Sequence, residues 1–181
     1  ALLYSSGTTG QPKGIMLTHG NIGSNAKTLQ EAWEFTANDC LLHALPIYHV
    51  HGLFVALGCV FLSGSKMLWL DNFEANEVLT QLPKCTVMMG VPTYYTRLIK
   101  NKGLNSKVTQ NLRIFISGSA PLLEETFMDF NYITGHKILE RYGMTETNII
   151  SSNPINGKRK SGTVGLPVSY THLRAHETSP H

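Results

Sequence analysis

The residues best suited to chemistry stand near the start of the chain, in residues 4–21, where glycine and hydroxyl side chains are frequent. The apolar residues before this stretch are typical of the end of a strand. Small side chains then let the backbone approach an anion closely, because glycine adopts φ values that other residues resist. Backbone N–H groups and hydroxyls can donate to phosphate oxygens, and a lysine adds positive charge. The stretch therefore predicts a phosphate-binding loop, whose candidate contacts are Ser5, Ser6, Gly7, Thr8, Thr9, Gly10 and Lys13.

Two other interpretations of this stretch are a flexible linker and a Walker A loop. Linkers rich in glycine and serine have a similar composition. A linker is rarely found directly between an apolar strand and an apolar hairpin. Ile15, Met16 and Leu17 predict such a hairpin after this stretch. A Walker A loop is excluded because no Gly-Lys-Ser/Thr follows at the required spacing and Pro12 precedes the lysine. We therefore expect a phosphate loop of another kind.

Residues 4–19, YSSGTTGQPKGIMLTH, resemble without a gap the signature of the adenylate-forming superfamily. Its members are acyl- and aryl-CoA synthetases, luciferases and the adenylation domains of peptide synthetases. The resemblance implies ATP and Mg²⁺ as ligands and, for a CoA ligase, coenzyme A as co-substrate. It further implies that Lys13 and the loop hydroxyls follow the β- and γ-phosphates, with Thr8 contributing to the metal site.

Two later motifs resemble the nucleotide contacts of the same superfamily. ISGSAPL, residues 116–122, is similar to its adenine loop, and YGMTE, residues 142–146, to its second diagnostic motif. The alternatives are an ordinary strand-to-helix turn and an arbitrary turn with an exposed glutamate. Carboxylate attack on the α-phosphorus brings two anions together, so hydroxyl donors and a metal must offset their repulsion. By the resemblance Tyr142 stacks on adenine, Thr145 holds the α-phosphate and Glu146 helps to bind Mg²⁺; the implied nucleotide contacts are Gly118, Ser119, Ala120, Pro121, Tyr142, Gly143, Met144 and Thr145.

Residues 45–53, LPIYHVHGL, resemble the motif whose histidine lies at the acyl pocket. His49 fits that position and is a candidate for catalysis and substrate binding, and His51 is a second substrate-binding candidate. Histidines at i and i+2 could hold a metal, but no cysteine or carboxylate stands close by. A histidine packed in a pocket is the favoured interpretation for both.

Residues 90–98, GVPTYYTRL, carry the clue to substrate specificity. Related synthetases for plain fatty or aromatic acids usually have an uncharged residue where Arg97 stands. Arg97 falls five residues after Pro92, so it can face the pocket from a helix and pair with a carboxylate bidentately, with Ser117 as a helper. The alternative is a solvated residue near Lys100. The combined motifs resemble the malonyl-CoA synthetases most, which implies malonate or another small dicarboxylic acid as substrate.

Strands alternate with helices along the chain. We expect strands in residues 40–45, 66–70, 85–91, 113–117 and 137–140, and helices in residues 21–35, 52–62, 74–82, 92–100 and 122–130. This order predicts an α/β fold with a largely parallel sheet and helices on both faces. Active sites of such sheets lie at the carboxyl ends of the strands, where the motifs fall. With the resemblance, the chain is expected to be a fragment of the large N-terminal domain of an adenylate-forming enzyme.

Composition and charge narrow the partners and the compartment. The net charge is only +3, and the one basic run, residues 158–160, lies beside glycine and serine, so nothing favours nucleic acid. The longest apolar stretch, residues 53–62, is too short for a membrane span. Cys40, Cys59 and Cys85 are far apart in apolar surroundings, which indicates a reducing compartment. We expect a cytoplasmic protein, with mitochondria or another organelle left open because the chain does not begin with Met.

The pattern changes near the end of the chain. Residues 162–167 match the stretch before the superfamily's next conserved segment, but residues 169–181 have no apolar period and resemble translated adaptor or vector sequence. We expect residues 1–168 to be a partial AMP-binding domain, truncated at both ends. The resemblance implies that the ribose-binding aspartate and the C-terminal lysine lie outside the fragment, which is then not catalytically complete.

The parent protein is expected to be an ATP-dependent acid–CoA ligase that forms an acyl-adenylate and then a thioester. An adenylation enzyme of another specificity and a non-catalytic nucleotide-binding fragment are the alternatives.

Overall fold

A computed structural model of the chain describes residues 1–5 and 11–168. Its strands are β1 (Leu2–Ser5), β2 (Lys13–Met16), β3 (Cys40–His43), β4 (Lys66–Trp69), β5 (Val87–Gly90), β6 (Ile114–Ser117), β7 (Leu139–Met144), β8 (Asn148–Ser152) and β9 (Leu166–Pro167). Its α-helices are α1 (His19–Ala32), α2 (Leu57–Ser63), α3 (Ala75–Gln81), α4 (Pro92–Ile99) and α5 (Glu124–Thr134). A short π-helix, His51–Ala56, leads into α2, and a 3₁₀ turn, Leu82–Lys84, follows α3.

The main sheet has seven strands in the order β4-β3-β5-β6-β7-β8-β9. The pairs from β4 to β7 are parallel, and β7, β8 and β9 pair antiparallel. The prediction of an α/β fold with a largely parallel sheet is therefore confirmed. Within the described part of the chain, strand β1 pairs only with β2, in a separate antiparallel hairpin.

Helices cover both faces of this sheet, as the alternation predicts. One hydrophobic core contains buried residues of α3, α4 and α5, such as Tyr95, and the other contains residues of α1 and α2, such as Leu29. Adjacent residues of β3 contribute to opposite cores: Leu42 packs in the first and Leu41 in the second. This alternation follows from the pleat of a strand, which points successive side chains to opposite faces.

Helix α1 begins earlier than the sequence analysis expects. Its N-cap is Thr18, whose hydroxyl accepts from the Asn21 backbone N–H at 3.1 Å. The Asn21 side-chain oxygen accepts from the Thr18 backbone N–H at 3.0 Å, which completes a capping box. Asn21, the expected first residue of this helix, therefore occupies its third position.

The helix predicted for residues 52–62 is present, but its first turn is a π-helix. Gly52 allows this turn to approach the preceding loop, since a Cβ there would collide with the backbone oxygen of Pro46. Gly64, in the left-handed conformation with φ 65°, ends α2. Within residues 1–5 and 11–168, no helix is long and apolar enough to cross a membrane.

Strand β7 is longer than predicted, and strand β8 was not predicted. The YGMTE motif therefore belongs to the end of a strand and a tight turn, and not to a loop after Glu140. The register of the β7–β8 pair shifts between Tyr142 and Gly143, and a Cβ on Gly143 would collide with the backbone oxygen of Asn148. Asn148 itself has a φ of 55°. The β7–β8 hairpin thus depends on the backbone conformations of Gly143 and Asn148, which a pattern of hydrophobic residues does not predict.

Candidate active site

Two cavities open at the carboxyl ends of the parallel strands. Cavity A has a volume of about 400 Å³, and its wall includes Leu45, His49, His51, Ser119, Arg141 and Thr145. Cavity B also has a volume of about 400 Å³, and its wall includes Ser117, Ser119, Pro121, Glu140, Arg141 and Tyr142. Because Ser119 and Arg141 line both, a ligand in one cavity lies next to a ligand in the other.

A third cavity, cavity C, of about 330 Å³, lies between helix α1 and the turn that joins β7 to β8. Residues Asn21, Ser24 and Asn25 of the helix form one wall, and Glu146 and Thr147 lie on the other. Polar side chains thus face each other across this groove.

Among the described residues, Arg141 is the only charged one that lines both cavity A and cavity B. Its exposed fraction is 5%, and its Nε and Nη2 atoms have no hydrogen-bond partner in the described part of the chain. Burial lowers the pKa of the guanidinium to about 10, so it is still charged at neutral pH. An unpaired buried charge is costly, which makes this position a site for an anion. Gly118 makes room for it, since a Cβ there would collide with the guanidinium.

The sequence analysis missed Arg141. Its only signal is an arginine directly before YGMTE in a strand whose preceding residues, Leu139 and Glu140, are also buried. A charged residue in a buried strand is a reason to look for a partner.

His51 is buried beside Arg141 and Ser119. Its Nδ1 atom lies 3.2 Å from the Ser119 hydroxyl, whereas its Nε2 atom has no partner in residues 1–5 and 11–168. Burial, followed by the charges of Arg141 and His43, holds the pKa of His51 well below its usual value, so the ring is neutral at pH 7. Ser119 has a φ of 69°, an uncommon conformation for a residue other than glycine and one that often occurs at functional sites.

A strand pair flanks the predicted phosphate loop. Ser5 of β1 is directly opposite Lys13 of β2, so the two ends of the loop are held together. The predicted contacts Ser6, Gly7, Thr8, Thr9 and Gly10 lie outside the described residues. Their role in phosphate binding stays a prediction.

The family model of AMP-binding enzymes matches residues 1–178, which is nearly the whole chain. The chain belongs to the AMP-binding enzyme family. The resemblance to adenylate-forming enzymes is thereby confirmed. The match extends past residue 168, and the expected boundary there stays a prediction because residues 169–181 lie outside the described part.

Several AMP-binding enzymes are similar over most of this chain. A malonate–CoA ligase from Arabidopsis thaliana is 42% identical over 92% of it. ATP-bound MatB from Rhodopseudomonas palustris has a TM-score of 0.90 and 50% identity, also over 92%. A malonyl-CoA ligase in a ternary product complex with methylmalonyl-CoA and AMP has a TM-score of 0.86 and 35% identity. The chain spans about a third of these proteins: 31%, 33% and 37% of their lengths, in that order.

The AMP-binding fold brings most of the described candidate residues together. Those on the wall of cavity A are His49, His51, Ser119, Gly143, Met144 and Thr145. Those on the wall of cavity B are Ser117, Ser119, Ala120, Pro121, Tyr142 and Gly143. His49 is exposed at the rim, whereas Ser117 is buried with no partner for its hydroxyl among the described residues. Glu146 lies on the wall of cavity C.

Arg97 lies apart from all three cavities. Helix α4 directs Tyr95 and Leu98 into the core and leaves Arg97 exposed, with its guanidinium carbon 4.8 Å from the centre of the Phe73 ring. The expected role of Arg97 at the acid pocket stays a prediction. The residue packs on an aromatic face, which attracts a guanidinium.

Proposed function

We propose that the protein containing this chain is an ATP-dependent acid–CoA ligase whose substrate is malonate, with methylmalonate next. The observation that carries the proposal is Arg141, a buried guanidinium whose Nε and Nη2 atoms have no protein partner and which faces cavity A. A monocarboxylic acid uses its only carboxylate in the reaction. A dicarboxylic acid has a second one to pair with this arginine, and a guanidinium and a carboxylate fit each other bidentately.

The two cavities suit the two substrates of the first half-reaction. We assign the acid to cavity A and the adenosine of ATP to cavity B, where the Tyr142 ring and the small residues of the ISGSAPL loop lie. The carboxylate of the acid attacks the α-phosphorus, the bond to the β-phosphate oxygen breaks, and pyrophosphate leaves. The thiol of coenzyme A then displaces AMP from the acyl-adenylate to give the thioester. We assign to Thr145, on the wall of cavity A, the hydrogen bond to the α-phosphate.

Mg²⁺ fits the residues near the turn of β7 and β8. No group of three or more histidine, cysteine, aspartate or glutamate side chains in residues 1–5 and 11–168 could hold a metal. Mg²⁺ is commonly held by one or two carboxylates together with substrate phosphates, so the single carboxylate of Glu146 is sufficient. We assign Glu146, with Thr8 of the loop, to this ion, which neutralises phosphate charge when bound.

Arg141 and Arg97 are two candidates for the second carboxylate. We favour Arg141 because its guanidinium is buried with two unpaired nitrogen atoms and lies on the wall of cavity A. Arg97 is exposed and already packs on Phe73. The names of the relatives, which include a malonate–CoA ligase, support the choice of acid.

The experiment compares AMP formation from malonate and from butyrate in the full-length protein. We expect malonate to be preferred, and Arg141→Ala to lower kcat/KM for malonate about 100-fold or more, because a buried charge pair is lost. The value for butyrate should change little. Arg97→Ala is the matched control and should retain most malonate activity. A large fall in kcat/KM for malonate in Arg97→Ala alone would show that Arg97 binds the second carboxylate. Equal use of butyrate and malonate by the wild type would contradict malonate as the preferred substrate.

A further inference from the structure

Cys40 and Cys85 are far apart in sequence but adjacent in the structure. Their Sγ atoms lie 3.9 Å apart, and neither forms a disulfide. Cys40 is the first residue of β3, and Cys85 stands two residues before β5, the strand that pairs with β3. Both side chains pack in the hydrophobic core that contains Tyr95, so the two thiols lie on the same face of the sheet.

Hydrogen bonds hold the backbones together at these two positions. The Cys40 backbone N–H donates to the Thr86 hydroxyl at 3.0 Å, and the Thr86 backbone N–H donates to the Cys40 backbone oxygen at 2.9 Å. A disulfide requires neighbouring backbones and side chains that point toward each other, and its S–S bond is about 2 Å long. From their separation of 3.9 Å, the two sulfur atoms need to approach by only about 2 Å to form such a bond.

The two thiols differ in their access to solvent. Cys40 is partly exposed, whereas Cys85 is fully buried. Burial raises the pKa of the Cys85 thiol, and the neighbouring Cys40 raises it further, so Cys85 stays protonated at neutral pH. An oxidant that arrives from solvent therefore meets Cys40 first, and Cys85 lies beside it as the thiol that reacts second.

We propose that Cys40 and Cys85 form a reversible redox site, at which a peroxide oxidises the two thiols to a disulfide. The Cys40 thiolate attacks one oxygen of hydrogen peroxide, the O–O bond breaks, and the departing hydroxide takes up the Cys40 proton to become water. The Cys85 thiol then attacks the sulfur of the Cys40 sulfenic acid, the S–O bond breaks, and a second water leaves with the Cys85 proton. Two electrons thus pass from the thiols to the peroxide, and a dithiol reductant reverses the reaction by exchange.

The disulfide joins the amino ends of β3 and β5, at the opposite end of these strands from cavity A, whose wall includes Leu45 and Val91. In the unfolded chain it closes residues 40–85 into a loop, and the lost entropy of that loop favours the folded state. In a reducing compartment such a bond forms transiently and responds to oxidants. The redox site is independent of the proposed function, because it requires no particular substrate.

The test treats the full-length protein with hydrogen peroxide and then blocks the remaining thiols by alkylation. Mass spectrometry of a non-reducing digest should find two peptides joined through Cys40 and Cys85, which dithiothreitol separates. The disulfide form should melt about 5 °C higher than the reduced form. Cys59→Ala is the matched control, because Cys59 is buried in the opposite core, and it should give the same linked peptides.

Cys85→Ala removes the second thiol and keeps the first. Cys40 should then stop at the sulfenic acid, which dimedone labels, or continue to the sulfinic acid, which dithiothreitol does not reduce. The proposal is overturned if peroxide leaves both wild-type thiols free, or if it converts Cys40 to the sulfinic acid without linked peptides. It is equally overturned if the link forms only after denaturation, or if the disulfide form melts below the reduced form.

Discussion

His51 shows how a single buried ring is held neutral. Both His43 and His51 have a lowered pKa, chiefly because burial disfavours the charged form, and the charges of Arg141 and His43 lower the pKa of His51 further. A neutral ring beside Arg141 adds no further positive charge. Its Nδ1 atom forms a hydrogen bond with the Ser119 hydroxyl at 3.2 Å. The arrangement leaves the guanidinium as the charge that an incoming anion meets.

The stability of the protein should therefore fall when the pH is lowered below about 6.5, the ordinary pKa of histidine. In this range the unfolded chain binds protons that the buried rings reject, so unfolding becomes more favourable as the pH falls, by at most ~1.4 kcal/mol per pH unit for each ring. Above about pH 6.5 the histidines are neutral in both the folded and the unfolded state, so the protein keeps its full stability. Urea unfolding of the wild type and of His51→Gln between pH 7.5 and 5.5 measures it, and the variant should lose less stability.

His19 provides the matched control for this prediction. It is exposed at the start of α1, so His19→Gln should keep the wild-type dependence on pH. An identical pH dependence in His51→Gln and the wild type would show that His51 contributes nothing to it.

Gly118 gives a second prediction at a single residue. A Cβ there would collide with the Arg141 guanidinium, so Gly118→Ala should displace this group, weaken malonate use and lower the free energy of unfolding by ~1–3 kcal/mol. Gly23 is the control, because a Cβ on it meets nothing within 4 Å. Gly23→Ala in helix α1 should raise stability by up to ~1 kcal/mol. Steady-state kinetics and urea unfolding measure both, and unchanged malonate kinetics in Gly118→Ala would contradict the prediction.

Between elements, an ion pair holds the amino ends of the strands. Arg113, just before β6, donates to both carboxylate oxygens of Asp39, just before β3, at 2.7 and 3.0 Å. It also donates to the backbone oxygen of Trp33, near the end of α1, at 3.0 Å. Burial acts to raise the pKa of Asp39, but hydrogen bonds from Arg113, Thr36 and Thr86 outweigh it, and the net pKa is lowered.

Removal of this arginine should destabilise the fold without changing the site. Arg113→Ala leaves the Asp39 carboxylate, which is 4% exposed, without its ionic partner. Because the Arg113 side chain is 31% exposed and Thr36 and Thr86 still donate to Asp39, the loss should be ~1–3 kcal/mol. Arg113→Lys keeps the charge but loses the paired geometry, so its loss should be smaller. Because the Asp39 pKa is lowered on folding, the stabilisation is present above about pH 4 and is lost as the pH falls through the lowered pKa. Denaturant unfolding of the wild type and Arg113→Ala at pH 7 and pH 3 measures this stabilisation. An equal loss of unfolding free energy in the variant at both pH values would contradict the prediction.

The chain as a whole gathers its polar side chains at one edge of the sheet. The predicted acyl and adenine motifs follow β3 and β6, and they meet because parallel strands end on the same side. Structural charge, in contrast, lies at the opposite edge, where Arg113 and Asp39 pair. One end of the sheet is thus stabilised by satisfied charges, and the other retains an unsatisfied one in Arg141.

The sequence by itself determined the alternation of strands and helices from α1 to β7 and the resemblance to adenylate-forming enzymes, because these depend on local spacing and side-chain period. It predicted that the acyl and adenine motifs follow strands β3 and β6, but the bounds of α1 and β7 were wrong, and YGMTE lies on the end of β7 and the turn after it. Only the tertiary structure decided that Arg141 is buried without a partner, that Arg97 packs on Phe73 and that Cys40 lies beside Cys85. These facts depend on sheet register and on contacts between residues far apart in sequence, which no local pattern contains.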